Sequence, residues 1–208
     1  MIVQGSPEWF AMRCGKVTAS RVADVLAKTK TGWGAGRANY AAELIAERLT
    51  QTTAASFTNA AMQWGTDMEP VARHAYAMRR GMAVSEIGFV DHPEVSMSGA
   101  SPDGLVDSDG LVEIKCPNTA THLDTLLSEN VPSKYITQMQ WQMACTGRDW
   151  CDFASFDPRL PEPLQLFVVR HQRDDKEIAS YELALSLFLS ELERDVAEMR
   201  QRMELAVA

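Results

Sequence analysis

Apolar residues recur at three- and four-residue steps through the last part of the chain: Ile178, Tyr181, Leu185, Phe188, Leu192, Val196, Met199 and Met203. That period places them on one side of a helix, and such a stripe is predicted to pack against the core. Helical signals also open the chain. Ser6 can cap a helix that begins at Pro7 and stops at Gly15. A second helix is predicted from near Thr18–Ser20 towards Lys28, followed by a glycine-rich loop over residues 29–37, TKTGWGAGR. Residues 38–50 are helical by composition and spacing. A polar stretch then leads to a helix from about Ala61 to Arg80, closed by Gly81.

Beyond Gly81 the pattern changes to short β-rich runs broken by Gly, Pro and Asp: residues 84–92, 95–117, 151–157 and 164–171. Ser108-Asp109-Gly110 is a turn signal, so Ser101–Val106 and Leu111–Lys115 should be neighbouring antiparallel strands. Helices are predicted near 120–128 and 132–146, the second starting at Pro132. The whole reads as α/β, a central mixed β-sheet flanked by α-helices.

The 208 residues suit a single domain over 1–208, since domains usually run to about 100–200 residues. No Pro- or Gly-dense linker and no internal repeat divides them. The N-terminus lacks the regions of a signal peptide, and no uncharged apolar run reaches the ~18 residues that span a bilayer. A soluble, cytoplasmic protein is expected. Four cysteines, Cys14, Cys116, Cys145 and Cys151, show no C-x-x-C pair, which points to reduced thiols in or near the core.

Net charge is −8, from 20 basic and 28 acidic residues, and at first argues against a nucleic-acid partner. Its distribution softens that. Residues 1–40 carry six basic and two acidic side chains, net +4, while residues 174–208 carry four and nine, net −5. Charge alone leaves the partner open. No Walker-type phosphate loop is present.

Candidate chemistry concentrates in SPDGLVDSDGLVEIKCP, residues 101–117. On a strand, Glu113 and Lys115 point to one side and Ile114 to the other, with the Cα atoms of Glu113 and Lys115 about 6.6 Å apart. The neighbouring strand can bring Asp103 alongside. Two carboxylates and an ammonium suit phosphodiester cleavage: magnesium takes oxygen ligands, and Lys115 beside it would have its pKa pushed down. The bland alternative is a turn aspartate before Gly104 and an exposed Glu113–Lys115 pair. Leu111, Val112, Ile114 and Cys116 make the strand apolar, however, where charges need a reason.

SPDG…VEIKCP resembles the PD-(D/E)xK nuclease core, and specifically the lambda-exonuclease-like (YqaJ) family of phage recombination nucleases. PEWFAMRCGKVTAS (7–20) resembles that family's W-x3-R-x-G-x-x-TAS opening, and WGTDMEPVARHAY (64–76) its WG-x3-E helix. KYITQMQWQMACTG (134–147) resembles its Y-x-x-Q-x-Q helix, and FASFDPR (153–159) its final core strand. The resemblance implies Asp103, Glu113, the Ile114 carbonyl and Glu69 as metal ligands, Lys115 as the catalytic lysine and Gln138 as the active-site glutamine. Tyr135, Gln138 and Gln142 fall on one helical face, with Ile136, Met139 and Met143 opposite.

By the same resemblance Arg13, Ser20 and Ser101 form a pocket for a 5′-terminal phosphate, with Trp9 near the DNA entrance and Tyr135 among the DNA contacts. Arg13 precedes the predicted helix start, whose free N–H groups and the bidentate guanidinium both favour an anion. Trp33 in the glycine-rich loop could instead stack on a base. The implied reaction is 5′-to-3′ removal of mononucleotides from one strand of linear duplex DNA, leaving a 3′ single strand. It uses Mg2+, for which Mn2+ can substitute, with two ions per site. The implied assembly is a ring-shaped homotrimer working with a single-strand annealing protein, encoded by a phage or prophage. Three rivals remain open: an iron–sulfur nuclease, a junction resolvase or structure-selective endonuclease, and a non-catalytic DNA-binding module.

Overall fold

Side-chain alternation along residues 110–115 organises the molecule, because both faces of this strand are covered. The computed structural model describes residues 2–30, 32–53 and 59–207. In chain order its elements are α1 (Pro7–Arg13), β1 (Val17–Thr18), α2 (Val22–Leu26), β2 (Lys28–Thr29), β3 (Gly32–Trp33), α3 (Ala35–Thr50) and α4 (Ala60–Arg80). There follow β4 (Val84–Ser85), β5 (Val90–Asp91), β6 (Ser98–Ala100), β7 (Gly104–Val106), β8 (Gly110–Lys115) and α5 (Thr119–Ser128). The chain closes with α6 (Ser133–Thr146), β9 (Trp150–Phe156), β10 (Leu166–Gln172) and α7 (Asp175–Val207).

A five-stranded sheet has the order β10-β9-β8-β7-β4, with β8 and β9 parallel and the other pairs antiparallel. It is the mixed sheet expected from the sequence. Val112, Ile114, Ala154 and Phe156 pack on one face against Ala72 and Tyr76 of α4. Leu111, Cys151 and Phe153 pack on the other against Met139 and Met143 of α6. A second, three-stranded sheet, β1-β6-β5, joins α2, α3 and α7 around a separate apolar cluster.

Local signals explain most boundaries. Ser6 accepts a hydrogen bond from the Trp9 N–H and caps α1, with Pro7 as the first helical residue. Asn59 and Asn118 cap α4 and α5 in the same way. Gly81 and Gly147 end α4 and α6 with φ of +63° and +69°, a left-handed conformation glycine adopts without strain.

Three expectations need correction. The second helix begins as a three-residue 3-10 turn, Ala19–Arg21, and ends at Leu26. The stretch 29–37, expected as a loop, is largely taken up by the β2–β3 hairpin and by the start of α3 at Ala35; Thr31 lies outside the described residues. The tail stripe is buried from Ile178 to Val196, but Met203 is 56% exposed, because α7 runs past the body it packs against.

Candidate active site

Glu113 is fully buried on the face of β8 that α6 covers. Gln138 and Gln142, one turn apart on α6, both reach it. Gln138 Nε2 donates to Glu113 Oε1 at 2.8 Å, and Gln142 Nε2 donates to Oε2 at 2.6 Å. Lys115, two residues along the same face, donates to Oε1. Both oxygens of the buried carboxyl are therefore satisfied, as burial of such a group demands. Tyr135 stacks on Phe153 with centroids 5.6 Å apart, and Lys115 Nζ stands 5.2 Å from its ring.

Asp103 arrives from the segment before β7. The register that sets Gly104 opposite Val112 brings it to the level of Glu113. Its Oδ2 accepts the Ile114 backbone N–H at 2.7 Å, which ties it to the strand between Glu113 and Lys115. Burial, Glu113 and Glu69 together push the Asp103 carboxyl well above its ordinary pKa, against Lys115 and the Ile114 N–H. Burial disfavours charge on Lys115, but Glu113 and Asp103 outweigh it and hold the ammonium above its ordinary value. That direction is opposite to the lowering expected beside a cation, because the charges facing Lys115 here are carboxylates.

Glu69 stands on α4, on the other side of the sheet's end. Burial raises its pKa; Glu113 and Glu86 add to this, while Arg73 and Lys115 oppose it. Its Oε1 accepts a hydrogen bond from Arg73 Nη2. Among the described residues no three His, Cys, Asp or Glu side chains already enclose one point as a ligand set. Repulsion from Glu113 nevertheless raises the pKa of both Asp103 and Glu69, and all three carboxyls offer oxygen. Such a donor set fits a hard divalent cation, which would relieve that repulsion.

A cavity of about 730 Å3 opens beside these groups, walled in part by Trp9, Arg13, Ser20, Glu69 and Arg73. The Arg13 guanidinium lies 3.8 Å over the Trp9 ring and makes no ion pair among the described residues. Trp9 Nε1 donates to Ser101 Oγ at 2.9 Å, so the first helix is pinned to the strand region that carries Asp103. Ser20 is exposed, its hydroxyl 3.4 Å from that of Thr18. The helix start expected there is only the 3-10 turn, without a side-chain cap, so no helix dipole points into this wall, whose cationic side chains are Arg13, Lys16, Arg21 and Arg73. Trp33 is 49% exposed on the β2–β3 hairpin, with Arg37 and Lys28 at 4.1 and 5.1 Å from its ring.

Two residues of the site escaped the sequence reading. Gln142 falls on the helical face of Gln138, one turn beyond it, but its position alone assigns it no role. Arg73 follows Glu69 by four residues, a spacing that pairs opposite charges on a helix, yet nothing in the chain shows that its fork also reaches Asp103. The cysteines hold no such position. Cys145, Cys116 and Cys151 fall in three separate apolar clusters, and all four are free thiols.

The sequence profile of the YqaJ-like viral recombinase domain matches residues 8–149, well over half of the chain. The chain belongs to that family. The YqaJ-like chain is similar in structure to the alkaline exonuclease LHK-Exo from Laribacter hongkongensis. The TM-score is 0.89 at 53% identity, over 98% of this chain and 100% of that one, and LHK-Exo also has a crystal structure in complex with dAMP. A phage related exonuclease from Haemophilus somnus 129PT matches with a TM-score of 0.69 at 18% identity, over 88% of this chain and 96% of that one, and shows the fold alone. An Escherichia coli (strain K12) protein named ExoD, itself uncharacterized, is 32% identical over 72 residues, 34% of this chain and 80% of that protein. The fold is that of the PD-(D/E)xK nucleases, as the resemblance implied. No helix among the described residues is long and apolar enough to cross a membrane.

Proposed function

We propose that this YqaJ-like chain is a metal-dependent DNA exonuclease acting 5′-to-3′ on one strand of linear duplex and leaving a 3′ single strand for recombination by annealing. One observation carries the reading. Asp103, Glu113, Lys115 and Gln138, scattered over 36 positions of sequence, meet at the ends of β7 and β8, and Glu69 and Arg73 next to them line a cavity with Arg13. The 53% identity to an alkaline exonuclease supports it.

Asp103, Glu113 and the Ile114 carbonyl would hold the ion, with Glu69 joining from α4; Mg2+ is the expected metal and Mn2+ its substitute, two ions per site. When bound, the ion neutralises charge on phosphoryl oxygens and makes water a better nucleophile. The protein's own groups do the rest. Gln138 and Gln142 fix Glu113. Lys115 offers an ammonium at the reacting phosphate, where it can orient the attacking water and offset developing negative charge. Arg13 offers a planar fork to a terminal phosphate, which carries more charge than an internal diester and therefore selects ends. The same reading includes a homotrimeric ring around DNA and a single-strand annealing protein as partner.

The test incubates linear duplex, with and without 5′-phosphate, and covalently closed circular duplex with the protein and Mg2+. Loss of linear DNA alone, fastest when phosphorylated and abolished by Lys115→Ala, is the expected result. Cleavage of the closed circle would favour an endonuclease. Undiminished degradation by Lys115→Ala would overturn the assigned chemistry.

A further inference from the structure

Arg73 is the best-connected cation in the site, and the reaction as described so far gives it nothing to do. Its side chain is 14% exposed. Nε donates to the Asp103 backbone carbonyl at 2.9 Å, Nη1 to Glu86 Oε1 at 2.8 Å, and Nη2 to Glu69 Oε1. A guanidinium has five N–H donors, so three bonds leave two free. The same fork lines the cavity shared with Arg13.

These contacts differ in kind. The bond to Asp103 is made to main chain in the segment leading into β7, and no ligand would compete for it. The bond to Glu69 occupies a carboxyl that the proposed reading needs elsewhere. Glu86 is a solvent-exposed partner, 65% accessible, of the sort that contributes little. Arg73 is thus pivoted at Nε, while its outer nitrogens hold partners that can be given up.

We propose that Arg73 exchanges ligands when the site loads: it holds Glu69 in the free protein, releases it to the divalent ion, and turns its freed nitrogens to a phosphodiester of the bound strand. This rests on Glu69 being an ion ligand. Arg73 is then a positioning residue for the ion and a contact residue for the DNA backbone. Its effects on the two ligands have opposite signs. In the free protein Arg73 competes with the ion; in the loaded complex it helps hold the strand.

Two titrations read this directly. Mn2+ binding to DNA-free protein is followed by calorimetry, and binding of a 5′-phosphorylated duplex oligonucleotide is measured against salt in Ca2+. Arg73→Met should bind Mn2+ roughly fivefold more tightly, since a partly exposed ion pair no longer competes. The same variant should lose about one unit of slope in log affinity against log salt, the signature of one lost phosphate contact. Glu69→Gln separates contact from mere field. The Mn2+ gain should vanish when Arg73→Met is placed in the Glu69→Gln background, and a gain that persists there would overturn the exchange. Unchanged or weaker Mn2+ binding by Arg73→Met overturns it too. If Glu69→Gln alone leaves Mn2+ binding intact, Glu69 is no ligand, and the reading beneath falls with it. Should Arg73→Met fail to fold, Arg73→Lys carries the test. It keeps the charge but cannot hold carbonyl and carboxyl together, so it should keep the salt slope and still tighten Mn2+; a reduced slope or unchanged Mn2+ affinity rejects the exchange.

Discussion

Gln142 donates to Glu113 Oε2 at 2.6 Å from a position with no solvent exposure at all. The bond runs from the middle of α6 to the middle of β8, through the apolar layer formed by Met139, Met143 and Phe153. It means that the carboxyl at the centre of the site is held from the core side, while Lys115 and Gln138 hold its other oxygen.

Replacing Gln142 with Met keeps the volume and removes the donor. Glu113 Oε2 is then left without a partner, and a hydrogen bond to a charged group is worth about 2 kcal/mol. We expect that loss in denaturant unfolding, together with an activity loss of about tenfold, the size typical of partners that orient metal ligands. Gln142→Glu should be worse on both counts, because it sets two carboxyls face to face in the core. A Gln142→Met protein with wild-type midpoint and activity would show that Glu113 needs no support from α6.

Much of this arrangement could be read from sequence, and the reason is local. Ser6-Pro7 and Ser108-Asp109-Gly110 act within a few residues, and the alternation Leu111–Val112–Glu113–Ile114–Lys115 assigns faces by itself. What stayed hidden depends on other elements. β1 has two residues and exists only because β6 pairs with it. The Thr18–Ser20 segment was expected to open a helix, but its backbone is drawn into that small sheet and then into a 3-10 turn. Arg73 lies four residues after Glu69, but only the folded chain shows its bond to the Asp103 carbonyl, thirty positions away.

Asp157, at the end of β9, ties acid sensitivity to one named pair. It is buried, yet its pKa is lowered to about 2: burial raises it, but hydrogen bonds from Arg159 and Thr119 outweigh that. A carboxyl lowered in the folded state stabilises the fold above its unfolded value near 3.9, and that contribution disappears as pH falls towards about 2. Thermal unfolding should therefore show wild type well above Asp157→Asn at pH 7, with the gap closing between about pH 4 and 2. A gap independent of pH would assign the difference to packing.

Gly110 begins β8 where the ring of Trp150 crosses it. A Cβ added there would lie 2.1 Å from the ring, closer than atoms can approach. Trp150 has little freedom to move, because the Arg170 guanidinium lies 3.3 Å over it and is itself bonded to the buried Asp152. Gly110→Ala should cost about 2 kcal/mol, as overpacking in a fixed core does. It should also shift the start of the strand that carries Glu113 and Lys115, so activity should fall along with the unfolding midpoint. Unchanged stability in denaturant would show that the ring can tilt away.

Arg13 offers the sharpest separation between binding an end and cutting it. It lines the cavity but touches none of Asp103, Glu113 or Lys115; its neighbour is the Trp9 ring, itself anchored on Ser101. An ammonium would be too compact to cover that ring and grip a phosphate in two places, so lysine is no substitute. Arg13→Ala should remove the preference for 5′-phosphorylated over 5′-hydroxyl ends and slow degradation of phosphorylated duplex by about a hundredfold, the loss of two charge-assisted hydrogen bonds at ~1.5 kcal/mol each. Mn2+ binding should be unchanged, because the carboxyls are untouched. Arg13→Lys should recover less than half of the preference on a logarithmic scale. If Arg13→Ala still prefers phosphorylated ends, the terminal phosphate is held elsewhere, and this cavity serves another stretch of the strand.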